Sequence, residues 1–118
     1  MNPPSVWIVN LLVVATRKVD SQPQPGIVEV TVFDAYGTQW QFIDKYPIFG
    51  LCYEIDTLLF PRAALLPCQV LEVKPEQNLV LVGTANPYQI YSTNDEPAVF
   101  WVYEDQLSPR SEIYFANF

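Results

Sequence analysis

The stretch Ile27 to Lys45, IVEVTVFDAYGTQWQFIDK, reads as a complete β-hairpin with its register included. Val28, Val30 and Val32 alternate with Glu29, Thr31 and Phe33, and a period of two marks a strand with one buried face. Asp34-Ala35-Tyr36-Gly37 follows, a turn with Asp at its start and Gly where a positive φ is needed. Trp40 and Phe42 then alternate with Gln39 and Gln41. A three-residue loop with Gly37 in the left-handed region pairs Asp34 with Thr38. That register sets Val32 opposite Trp40 and Val30 opposite Phe42, all on one face. A slip of one residue would set valines against glutamines, so the register is well specified. The class that follows is an antiparallel β protein with one packed face and one half-polar face.

The rest of the chain extends this pattern. Val6 to Val14 is rich in β-branched residues, and its near-continuous apolar character predicts a strand buried on both faces or placed centrally. Thr16 to Gly26 is a polar loop stopped by two prolines and a glycine. Pro47, Pro61 and Pro67 break Tyr46 to Pro67 into short pieces. We expect an extended wrap there, with a single helical turn capped by Asp56-Thr57 and running through Phe60. Gln69 to Pro75 and Leu79 to Ala85 form a second hairpin around a left-handed Asn78, with Val73 facing Leu81 and Leu71 facing Gly83. Gly83 marks a bulge or a close backbone approach. Asn86 to Pro97 is a long loop, Ala98 to Glu104 a last strand, and Tyr114, Phe115 and Phe118 are apolar enough to dock the tail on the domain. The expected fold is one all-β domain over residues 1–118. It is a small antiparallel barrel, or a barrel-like sandwich, of about six strands with at most one short helical turn.

Composition bounds the function. Half the residues are hydrophobic, and 11 prolines against 4 glycines favour turns and edges over long helices. The net charge of −7 and a pI near 4.2 oppose binding to nucleic acid or to anionic membranes and attract a basic partner. The same acidity also keeps a hydrophobic, β-rich chain in solution. No basic residue precedes the apolar run Val6 to Ala15, Asn10 interrupts it, and it is too short to span a bilayer. A cytoplasmic domain is expected, with Cys52 and Cys68 as reduced, buried thiols. A bond between them would require export and would add roughly 3 kcal/mol in the chain-entropy model. With no histidine and no CxxC, neither a zinc site nor any other metal or cofactor is expected.

The residues Asp34, Gly37, Trp40, Phe42, Lys45, Pro47, Ile48 and Phe49 form a pattern similar to D-x-x-G-x-x-W-x-F-x-x-K-x-P-[IV]-[FV] of small, uncharacterised bacterial proteins. The resemblance extends to Cys68-Gln69-Val70, to Tyr88 through Ser92 and to Asp105-Gln106-Leu107. It implies a small all-β domain of bacterial origin with no established activity, and it carries over no catalytic residue. Val6 to Val14 and Asn94-Asp95-Glu96 depart from the pattern.

The chemistry available is narrow. Ser-His and Cys-His catalysis need a histidine the chain lacks. The four glycines lie too far apart to cradle phosphate. Asp44, Glu54 and Asp56, near Lys45 and Arg62, offer carboxylates for acid–base work, against the plainer reading of solvated or ion-paired surface charge. Asn94-Asp95-Glu96 lacks the spacing of a calcium loop. Two binding surfaces stand out. One is Lys45, Tyr46 and Phe49, which otherwise close a sheet edge with a proline and a charge. The other is the loop Tyr88 to Glu96, where Tyr88, Tyr91, Asp95 and Glu96 give aromatic area beside acid. Its plainer reading is that Tyr88, Ile90 and Tyr91 pin the loop to the barrel. The expected function is a non-enzymatic, bacterial protein-binding module, immunity-like or regulatory, with a basic partner. The alternatives are a small ligand-binding or carboxylate-dependent enzyme barrel and a structural homodimer subunit.

Overall fold

The computed structural model describes residues 7–22, 26–51, 58–93 and 96–108. Six antiparallel strands form one sheet: β1 (Ile8–Asp20), β2 (Ile27–Phe33), β3 (Gln39–Lys45), β4 (Arg62–Lys74), β5 (Leu79–Gly83) and β6 (Val99–Tyr103). The spatial order is β3-β2-β1-β4-β5-β6, and the sheet curls into a half-barrel. There is no α-helix among the described residues. The described residues include three 3-10 turns, Tyr46–Phe49, Pro75–Gln77 and Glu104–Gln106, against the single turn expected. The turn expected at Asp56-Thr57 lies outside the described residues, as do Cys52 and the tail aromatics.

The first hairpin has the register read from its alternation. Val32 pairs with Trp40 and Val30 with Phe42. Asp34 N–H donates to Thr38 O at 2.9 Å, and Gly37 has φ 84°. The Asp34 carboxylate locks the turn: it accepts from Tyr36 N–H, Thr38 N–H and Trp40 Nε1, each at 2.9 Å. Val30, Val32 and Phe42 are core residues, whereas Trp40 is half-buried and packs against the core.

The strand β1 is central, as its composition suggests, but it is not buried on both faces. Val9, Leu11, Val13 and Ala15 point inward, while Leu12 and Val14 are exposed. It also runs on to Asp20, through residues read as loop. Bulges between Ala15 and Arg17 and between Lys18 and Asp20 let it follow the curl of β2.

The strand β4 begins at Arg62, within the segment expected to wrap as extended chain across a barrel end; it is extended there, but as a paired strand. Residues Arg62 to Gln69 pair with β1. Pro67 lies buried in mid-strand opposite Asn10. This half of β4 tolerates a proline because β5 pairs only from Gln69 onward, so that among the described residues no strand pairs with the other edge of Arg62–Cys68. The register of the second hairpin also differs from the reading by one residue. Val73 pairs with Val80, and Glu72 with Leu81. The turn Pro75–Gln77 plus a left-handed Asn78 (φ 56°) makes a four-residue connection, which pairs Lys74 with Leu79. Leu71 is then extruded as a bulge. It lies over Gly83, where a Cβ would sit 3.0 Å from Leu71 Cδ1, so Gly83 marks the close approach its position suggests.

The open side of the half-barrel, between β3 and β6, is closed by side chains and loops. Trp40 stacks on Phe100 with centroids 5.1 Å apart. Ala35 N–H donates to Trp101 O at 2.8 Å, and Thr93 N–H to Gln41 O at 3.0 Å. After β6 the chain returns to β1, where Leu107 bridges to Leu11 and Ser108 N–H donates to Asn10 O at 2.8 Å.

Candidate functional site

The loop between β5 and β6 is built around Thr84. Its hydroxyl donates to Ile90 O at 2.7 Å and accepts from Ala98 N–H at 2.9 Å. Its backbone accepts from Ile90 N–H and donates to Ala98 O. One buried side chain thus ties both ends of the loop together. Ile90 is fully buried and anchors the middle. Gln89, left-handed at φ 53°, donates its N–H to Ala85 O, and Asn86 Nδ2 donates to Gln69 Oε1 at 3.0 Å. Beyond Ile90, Tyr91 bridges to Pro97 and Ser92 to Phe42 of β3. The Ser92 N–H and hydroxyl both donate to Glu96 O, at 2.9 and 3.0 Å.

The backbone of this long loop is therefore held from several sides. Tyr91 joins in through its backbone bridge to Pro97, but both tyrosine side chains reach solvent: Tyr88 is 57% and Tyr91 48% exposed. The plainer reading, in which Tyr88, Ile90 and Tyr91 all pin the loop, survives only for Ile90. The arrangement is a rigid ledge carrying two rings into solvent. Glu96 is exposed beside them; Asp95 lies outside the described residues.

The second surface read from the sequence does not assemble. Tyr46 and Phe49 are buried members of the core. The turn Tyr46–Phe49 opens with Pro47 and ends at Gly50, left-handed at φ 74°, which folds both rings inward. Of that trio only Lys45 reaches solvent, so Lys45, Tyr46 and Phe49 form no contact patch.

The other candidate chemistry is equally limited. Cys68 is fully buried, and burial pushes its thiol up to about 12 from an ordinary 9.0. A thiol so placed holds its proton at neutral pH and is a poor nucleophile. The Asp44 carboxylate accepts from Lys45 N–H at 2.7 Å, while Glu54 and Asp56 lie outside the described residues. Among the described residues no group of three or more Cys, Asp or Glu gathers as a metal site.

One feature escaped the sequence reading. On the outer face of the sheet an apolar crevice of about 500 Å³ opens between β1 and β2. Leu12, Val14 and Phe33 form its walls, backed by Val13 and Val32. The available signal was Phe33, an aromatic on the polar face of an otherwise regular hairpin. No helix among the described residues is long and apolar enough to cross a membrane. The chain matches no protein-family model, no curated protein and no solved structure.

Proposed function

We propose that this protein is a non-enzymatic binding module whose contact surface is the ledge Thr84 to Thr93 together with Glu96, and that it binds a protein partner bearing basic charge. The observation that carries this reading is the division of labour in the loop. Thr84, Ile90 and Ser92 hold the backbone, while Tyr88 and Tyr91 are left exposed. Rings held on a fixed backbone add contact area with little ordering cost on association. The partner's charge follows from the chain's −7 and from Glu96 next to the rings. Such a field speeds the encounter with a cation-rich surface. A regulatory or immunity-like role in the cytoplasm, shielding a basic protein, fits these properties.

The test is capture from source-cell lysate by wild type and by a Tyr88→Ala, Tyr91→Ala variant with an unchanged circular dichroism spectrum. A partner retained by the wild type and lost by the variant supports the reading. Binding kinetics then separate the residue types. Tyr91→Ala should raise the off-rate. Glu96→Gln should mainly lower the on-rate, an effect that fades as salt shortens the Debye length below about 8 Å. A partner that binds the ring-free variant as tightly as wild type refutes the assignment of this surface.

A further inference from the structure

We propose that the outer crevice between β1 and β2 is a binding site for a neutral, largely apolar small molecule. The crevice arises from topology. The ladder between β1 and β2 ends at Val14–Thr31. Beyond it β1 continues on β4 and β2 continues on β3, so the two strands part like a fork. The Gln106 side chain lies at the fork and ties β2 to the end of β6: Nε2 donates to Phe33 O at 2.8 Å, and Oε1 accepts from Tyr103 N–H at 2.9 Å. The space above it, about 500 Å³, falls within the usual range of small-molecule sites, roughly 300–1,000 Å³.

Three observations define the ligand. First, the walls are exposed apolar side chains: Leu12 at 43%, Val14 at 45% and Phe33 at 57%. Secondly, none of the lining residues is ionisable, although the chain carries 6 basic and 13 acidic residues. The nearest charges, the Glu29 carboxylate that accepts from the Thr16 hydroxyl and the Arg17 guanidinium 3.2 Å from it, already pair with each other, so a charged ligand would be desolvated without a free counter-charge. Thirdly, polar capacity remains at the rim. The Gln106 amide is spent within the protein, and the Thr16 hydroxyl donates to Glu29. The Thr31 hydroxyl and the Gln39 amide have no partner among the described residues. They suit a ligand with one hydrogen-bonding group on an apolar body.

A second copy of the chain is a poorer occupant. The uncharged band around the crevice consists of two rows on one face. The first is the paired row Gln41, Thr31, Val14 and Ala63; the second has Gln39 and Phe33 on one side of the fork, and Leu12 and Leu65 on the other. Four strands about 4.8 Å apart and two rows about 7 Å apart cover roughly 300 Å². A stable dimer buries about 800 Å² per partner. The outer face of a curled sheet is also convex, so two copies would touch over little of it.

The experiment is an amide NMR titration with three probes of one chain length: 1-hexanol, hexanoate and hexylamine. The expected result is saturable shifts with 1-hexanol at Leu12 to Val14, Thr31 to Phe33 and Gln39, with hexanoate and hexylamine binding at least tenfold more weakly. Val14→Asp should abolish the 1-hexanol response. Phe33→Ala, read alongside in case that variant unfolds, should weaken it several-fold while thermal unfolding stays cooperative. Equal responses to all three probes, shifts centred elsewhere, or no saturation by tens of millimolar would overturn the proposal. So would shifts that track protein concentration and mark a dimer, or unchanged affinity in a folded Phe33→Ala variant.

Discussion

Replacing Thr84 by valine should loosen the ledge that carries Tyr88 and Tyr91. Valine has nearly the shape of threonine, so no cavity opens and packing is kept. What is lost is the hydroxyl, which donates to Ile90 O and accepts from Ala98 N–H. Thr84, Ile90 and Ala98 are all buried, so water cannot take over either bond. Each orphaned group costs about 1–3 kcal/mol, and the pair therefore costs about 2–6 kcal/mol. That is a large part of the 5–15 kcal/mol typical of a domain. At roughly 4 °C per kcal/mol for a chain of this size, Tm should fall by about 8–24 °C. Thr84→Ser is the control: it keeps the hydroxyl and loses one methyl, at about 1 kcal/mol. Urea unfolding of the three proteins gives the energies. Hydrogen exchange shows where they act, and the amides of Ile90 and Ala98 should exchange faster in the valine variant. A valine variant within 0.5 kcal/mol of wild type, or a serine variant equally destabilised, would refute the account of Thr84 as the tie of the loop.

Three further outcomes are expected. Phe42→Ala should cost about 3–5 kcal/mol and Trp40→Ala less, about 2–3 kcal/mol, because Trp40 is half-buried and loses chiefly its stack on Phe100 and its bond to Asp34; the reverse order in urea unfolding would contradict the burial pattern. Cys68 keeps its proton in the folded protein up to about 12, while the unfolded chain loses it near 9.0. Its contribution is therefore complete below pH 9 and is lost as pH rises toward 12, at about 1.4 kcal/mol per unit; the stability difference between wild type and Cys68→Ala should stay flat from pH 6 to 8.5 and shrink above pH 9. Gly37→Ala should cost about 1–2 kcal/mol from backbone strain alone, since φ is 84° and nothing lies within 4 Å of the added Cβ. Gly37→Asn should cost less when measured by the same thermal unfolding.

What the sequence determined by itself is local. The first hairpin was legible to the residue because two strands of alternating pattern meet at a turn whose Asp34 and Gly37 allow one geometry. The second hairpin was legible as a pair of strands but not in register. One more connecting residue and the extrusion of Leu71 shift the pairing, and neither changes the apolar alternation much. The first half of β4 was hidden because Pro67 reads as a breaker, and only the sheet order shows that β5 does not pair there. The tyrosine loop was visible as a candidate, yet the roles within it were not. Tyr88, Ile90 and Tyr91 are alike in apolar character, and burial alone separates the anchor from the exposed rings. The tertiary structure decided the rest. Tyr46 and Phe49 turn inward because a 3-10 turn ending at Gly50 carries them there, and the crevice exists because β1 and β2 take different partners past Val14 and Thr31. Both depend on contacts between segments far apart in the chain, which an alternation of two cannot encode.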